Sequence, residues 1–170
     1  RILREVKDKE LDGYSYDGVG ASFELLALRQ LDRLPSYFDV TGYTVNISND
    51  GKGRTLSEAS VSLVIDGETV EGKGTGNGPI NALDMAVRGD LKRYAKTIDT
   101  MRLIDFKVRI LNTGTEAVTR GTIESGDDAG DSWRTIGVNP NIVVASFEAL
   151  NDAVVYKLFK DGISAVPETA

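Results

Sequence analysis

The chain has 170 residues, 41% of them apolar, with both charge signs and a formal net charge of −6. That is enough for one folded domain with a real core, and it excludes wholesale disorder. The acidic balance without a basic stripe argues against nucleic acid, and no apolar run approaches the ~18 residues of a membrane span. There is no Cys and no His, which removes disulfides, thiol nucleophiles, serine-type triads and the usual zinc sites. Any chemistry left would fall to carboxylates, Lys, Tyr or Ser. No signal peptide is legible, and the lack of Cys fits a cytoplasmic protein.

The opening "RILREVKDKEL" reads as the middle of a charged helix with Ile2, Leu3 and Val6 as a thin apolar stripe. The chain therefore reads as a fragment of a longer protein. Gly13 breaks that helix. Asp17 is placed to cap a second one, "GVGASFELLALRQL", running to about Leu34 before Pro35. Residues 1–34 are thus expected to be linker helices, with Glu24 and Arg29 a surface pair.

The period then changes from helical to alternating. "YTVNI" (Tyr43 to Ile47) is a strand, and "SEASVSLVIDG" is a second, ending in the turn Asp66-Gly67. "ETVEGKG" is a third, closing a hairpin across that turn. Pro79 opens a helix, "PINALDMAVRGDLKRY", whose inner face is Ile80, Leu83, Val87, Leu91 and Tyr94. Pro suits a first helical turn because its missing N–H would have no partner there.

The second half repeats the first. "FKVRI" (Phe106 to Ile110) matches "YTVNI", "AVTRGTIESG" and "DSWRTIG" supply two more strands, and "VNPNIVVASFEALNDAVVYKLF" is the helix. On this alignment Pro140 stands where Pro79 stood. The expected fold class is α+β: two pseudo-symmetric β-β-β-α units, about residues 42–95 and 103–161, within a domain spanning 35–163. A flexible tail follows from Ser164 to Ala170.

"EGKGTGNGP" (Glu71 to Pro79) sits where phosphate loops sit, between a strand and a helix. The Walker and dinucleotide patterns both fail on it. A helix start can still receive an anion through its unpaired N–H groups. The extra Gly74 and Gly78 fit either a flexible edge strand or close approach of backbone to a ligand. The acidic run "GDDAGD", with Asp127, Asp128 and Asp131, lacks the spacing of a calcium loop and reads as a solvated hairpin turn. Trp133 reads as core.

The segments "DGYSYDGVGASFELL", "GTGNGPINALDMA", "LIDFKVRIL", "IESGDD" and "DSWRTIGVNPNIVVASFEALNDAVVYKL" together resemble the C-terminal part of the 2-isopropylmalate synthase family, over Leu11 to about Gly162. The first of them is most like the citramalate synthase branch. The resemblance implies a parent acyltransferase whose N-terminal (β/α)8 barrel, absent from this chain, uses a divalent metal and acetyl-CoA. The fragment itself would be non-catalytic, with no metal or cofactor of its own. It would instead be a regulatory domain that forms a homodimer and binds a branched-chain amino acid near the dimer interface: isoleucine for a citramalate synthase, leucine for a 2-isopropylmalate synthase. A ligand-free dimerisation module is the further alternative.

By the same resemblance the effector site comprises Asn77, Gly78, Ile80 and Asn81 at the first helix start. Leu103, Phe106 and Ile110 on the first strand of the second unit, Ala117 and Thr119 on the next, and Pro140 and Ile142 at the second helix start complete it. Phe106 stands where the family often has Tyr, and Asn81 where an acidic side chain would hold an ammonium. Phe106 and Ile110 share a strand face. Leu103 falls on the other face unless a bulge intervenes. All three would also serve as core.

Overall fold

The computed structural model describes residues 1–11, 14, 19–89, 91–111 and 117–166. Helices α1 (Ile2–Leu11) and α2 (Gly20–Gln30) come first. A three-stranded antiparallel sheet follows, with β1 (Asp39–Asn49), β2 (Thr55–Ile65) and β3 (Glu68–Gly76) in that order, then helix α3 (Pro79–Arg88), a 3-10 turn at Lys92–Tyr94 and the short α4 (Ala95–Ile98). A second sheet has β4 (Met101–Ile110), β5 (Thr119–Asp127) and β6 (Ser132–Asn139) in the same order, followed by α5 (Ile142–Lys160). The fold is α+β, with two β-β-β-α units. By contacts the chain divides into two compact parts: Pro35–Asp99 with Ile163–Ala170, and Arg1–Leu34 with Thr100–Gly162.

In the first unit the turn at Asp66 and Gly67 has positive φ at both positions, 53° and 80°, and pairs Ile65 with Glu68. That is the backbone a two-residue hairpin of matching twist needs. Alternate residues of β2, namely Ala59, Val61, Leu63 and Ile65, are buried with Ala82, Leu83, Ala86 and Val87 of α3. The helix expected to reach Tyr94 stops at Arg88. Gly89 weakens it, and Lys92 takes a left-handed φ of 49°, which no continuing helix allows. Leu91 and Tyr94 are nonetheless fully buried, as the inner-face pattern required. The Arg93 guanidinium grips Asp66 and donates to the carbonyls of Ser164 and Ala165, and the Tyr37 hydroxyl donates to Ile163 O.

In the second unit Ile123 and Ile136 are buried together with Ala145, Leu150, Ala153, Val154 and Leu158 of α5. Trp133 is core: its indole N–H donates to Ala153 O at 3.1 Å. Helix α2 packs on β6 and α5. It is shorter than expected, because Asp32 turns left-handed (φ 54°) just past its end. The expected breaker Gly13 and cap Asp17 lie outside the described residues. Glu24 and Arg29 do not pair with each other. Five residues apart they diverge around the helix, and each bonds a residue of α5 instead.

The two units agree in a detail that composition does not show. Each first strand carries one extra residue, between Val40 and Gly42 in β1 and between Leu103 and Asp105 in β4. Matched at one constant spacing, Tyr43 answers Phe106, Gly74 answers Gly137, Ala82 answers Ala145 and Pro79 answers Ile142. Pro140 is therefore not the partner of Pro79. It lies before the cap residue Asn141, outside α5, and its counterpart is Asn77.

Candidate functional site

The glycine-rich stretch is explained first by its own helix. A Cβ on Gly74 would lie 2.4 Å from the Ala82 carbonyl oxygen, and one on Gly137 would lie 1.9 Å from that of Ala145. Both glycines let a helix backbone rest directly on an edge strand. Gly76 serves a neighbouring need, since a Cβ there would press on the Asn81 side chain at 3.0 Å. Gly78 differs. Its backbone is extended, open space surrounds its missing Cβ, and it occupies the cap position of α3 with no side-chain cap. In the second unit Asn141 fills that position, and its side-chain Oδ1 accepts from Val143 N–H at 2.8 Å and Val144 N–H at 3.2 Å. The first turn of α3 thus keeps the open N-terminal character that α5 has closed with a side chain.

The candidate residues fall into two groups, one in each unit. Asn77, Gly78, Ile80 and Asn81 gather at the start of α3, where Asn77 and Asn81 are exposed and Ile80 is half-buried. Leu103, Phe106, Ile110, Ala117, Thr119, Pro140 and Ile142 belong to the second unit. The bulge at Ile104 settles Leu103. It pairs with Ser125, Phe106 pairs with Ile123 and Ile110 pairs with Thr119, so all three share the face that α5 packs on. Thr119 is buried and also pairs with Asn139, which leads through Pro140 into α5. Ile110, Thr119, Pro140 and Ile142 therefore meet at one end of the sheet beside the helix start. Ala117 precedes Thr119 as half-buried chain.

Helix α5 lies over β5 and β6 and barely reaches β4. The helix-side face of β4 is left as an apolar ledge, with Phe106 37% and Ile110 64% exposed. The two groups occupy corresponding ends of the repeated fold. In the first, Ile80 stands beside open backbone N–H groups, a combination suited to an aliphatic body with a carboxylate, while in the second the N–H groups of Val143 and Val144 are taken by Asn141. On the reverse face of the same end Arg109 stands opposite Arg120. Burial first, and the facing Arg109 second, lower the pKa of Arg120.

The acidic run forms the expected solvated hairpin turn at Asp128 and Asp131, but Asp127 departs from it. Asp127 has no exposed side-chain surface and accepts from Lys157 Nζ at 2.8 Å, Lys160 Nζ at 2.6 Å and the backbone N–H groups of Ala129 and Asp131 at 3.1 Å. Burial would raise its pKa, but the lysine hydrogen bonds outweigh that and hold it far below the ordinary carboxylate range. This cluster ties the β5–β6 turn to the end of α5. A second polar group was also missed: Glu148, Asp152 and Tyr156, at four-residue spacing on α5. The only sequence signal was that spacing of polar residues within an apolar helix. Among the described residues no group of three potential ligands gathers to hold a metal ion, and no helix is long and apolar enough to cross a membrane.

Relatives align along almost the whole chain. It is 38% identical over 167 residues to an (R)-citramalate synthase of Streptomyces coelicolor, which covers 96% of this chain and 31% of that protein. It is 40% identical over 164 residues to one of Aquifex aeolicus, covering 95% of the chain and 31% of the relative. A 2-isopropylmalate synthase of Burkholderia ambifaria is 30% identical over 105 residues, 62% of the chain and 19% of the relative. The chain thus spans less than a third of the length of these proteins. The model of the LeuA allosteric (dimerisation) domain matches residues 18–158, which takes in α2, both β-β-β-α units and both helix starts; this chain belongs to that regulatory family.

Proposed function

We propose that the chain is the amino-acid-sensing part of a citramalate synthase, a protein that condenses acetyl-CoA with pyruvate at a metal-bearing N-terminal barrel in the cytoplasm. Two copies pair, and isoleucine binds near their interface and inhibits the enzyme as the end product. The observation that carries this is the uncapped start of α3, where open backbone N–H groups stand beside Ile80 and Asn81. In the first group Gly78 leaves the α3 start free to receive a carboxylate, Asn81 can accept from an ammonium and Ile80 offers apolar contact; in the second, Phe106 and Ile110 offer apolar surface. One methylene in such a pocket is worth ~1–3 kcal/mol, enough to separate isoleucine from valine. Inhibition needs a coupling of only ~1–3 kcal/mol between site and barrel.

Thermal unfolding with each of the twenty amino acids tests the reading. A rise with isoleucine alone supports it. A larger rise with leucine moves the parent to 2-isopropylmalate synthase, in keeping with the Burkholderia relative. No rise with any amino acid overturns sensing and leaves a dimerisation module.

A further inference from the structure

The two units are copies, yet only one of them holds the helices that precede Pro35. Four side-chain bonds tie α2 and Tyr14 to the second unit. The Tyr14 hydroxyl donates to Glu148, the Arg29 guanidinium donates to Asp152 at 2.7 Å, and the Tyr156 hydroxyl donates to Glu24 at 3.0 Å. The acceptors and donor on α5 are spaced four apart and form one polar row along the helix. A fourth bond runs to the sheet: the Ile136 N–H of edge strand β6 donates to Ser22 Oγ at 2.9 Å, and both groups are buried. Helix α2 thus covers an edge that would otherwise be open, and it buries Leu25 and Leu26.

The first unit lacks this row where the copies can be compared. Glu148 corresponds to Met85, which is 49% exposed. Asp152 corresponds to Gly89, where α3 has already ended. The row is therefore a specialisation of the second copy rather than a property of the repeated fold.

We infer that α1, α2 and the second unit move as one body, and that Glu148, Asp152 and Tyr156 are the positioning residues through which ligand occupancy is passed towards the N-terminal side of the chain. The first unit contributes to binding. The joint combines this polar row with the buried Ser22–Ile136 bond and the buried Leu25 and Leu26, so movement of the second unit carries the helices with it. This rests on the sensing role proposed above.

The test compares the full-length protein with the double variant Asp152→Asn, Tyr156→Phe, and with Arg29→Gln on the other side of the joint. Isoleucine and leucine are the probes, with calorimetry for binding and turnover for inhibition. The expected result is binding within twofold of the parent and basal turnover unchanged, with maximal inhibition reduced at least fivefold. Inhibition equal to the parent's overturns the inference, as does loss of binding together with inhibition. If neither amino acid binds the parent, the sensing role fails, and hydrogen exchange still decides the joint. Exchange of the residue 20–30 amides should quicken at least tenfold in the variants while β1–β3 and α3 are unchanged. Equal exchange in variant and parent overturns the joint as well.

Discussion

Among the described glycines, Gly137 and Gly74 bring a strand nearest to a helix backbone. A methyl group at Gly137 would meet a backbone carbonyl, which cannot rotate away, so α5 would have to lift from β6. Gly137→Ala is expected to cost ~3 kcal/mol or more, at or above the upper end for overpacking, and Gly74→Ala somewhat less, both read by urea unfolding. Gly78→Ala meets nothing and should be close to neutral in the same experiment. The charged residues divide in a similar way. Asp127→Ala would leave Lys157, 3% exposed, facing Asp161 alone, and breaking such a buried pair costs ~3–5 kcal/mol.

The lowered pKa of Asp127 fixes the sign of a pH effect. Its carboxylate is stabilised in the fold, so that contribution is complete above the unfolded value near ~4 and is lost as pH falls below it. Melting temperature should fall below about pH 4 in the parent and fall less steeply in Asp127→Asn. In the sequence the turn looked like any acidic loop. What buries Asp127 is the pair of lysines thirty residues further on, whose arrival on the same turn follows from the length of α5 and not from local pattern.

At the level of elements, most strands were legible because alternation and the Asp66-Gly67 turn fix their register locally. The limits of two helices were not. Gly89 and the left-handed Lys92 cut α3 short, and Asp32 ended α2, because a helix end depends on single backbone conformations rather than on the apolar period. The bulge in β4 had no signal in the sequence, yet it decides that Leu103 joins Phe106 and Ile110. The two helix starts allow a comparison. Asn141→Ala removes a cap that accepts two N–H groups and should cost ~1 kcal/mol of stability. Gly78→Ser adds a cap where none exists. It should stabilise α3 by a few tenths of a kcal/mol and, on the proposed role, weaken isoleucine binding at least tenfold by calorimetry, since the new hydroxyl competes for the same N–H groups.

At the scale of the molecule, the family assigns pairing, and the exposed ledge of β4, with Phe106, Val108 and Ile110, is apolar surface that pairing would cover. Melting temperature should accordingly rise with protein concentration, and Val108→Glu should abolish that rise. The internal repeat was legible because strand and helix patterns recur in order. Its alignment was two residues out at the second helix, since a proline drew the eye where the cap geometry did not follow. The matched bulges carry a further consequence. Each extra residue flips the parity of the strand before it, which is why Leu103 and Phe106, three apart, share a face. Removing Ile104 would join Leu103 to Asp105 in a regular ladder and leave Met101, Arg102 and Leu103 on their present faces, whereas losing one residue elsewhere in β4 would turn one end of the strand inside out. An alignment of relatives should therefore tolerate a gap at this position and reject one elsewhere in β4.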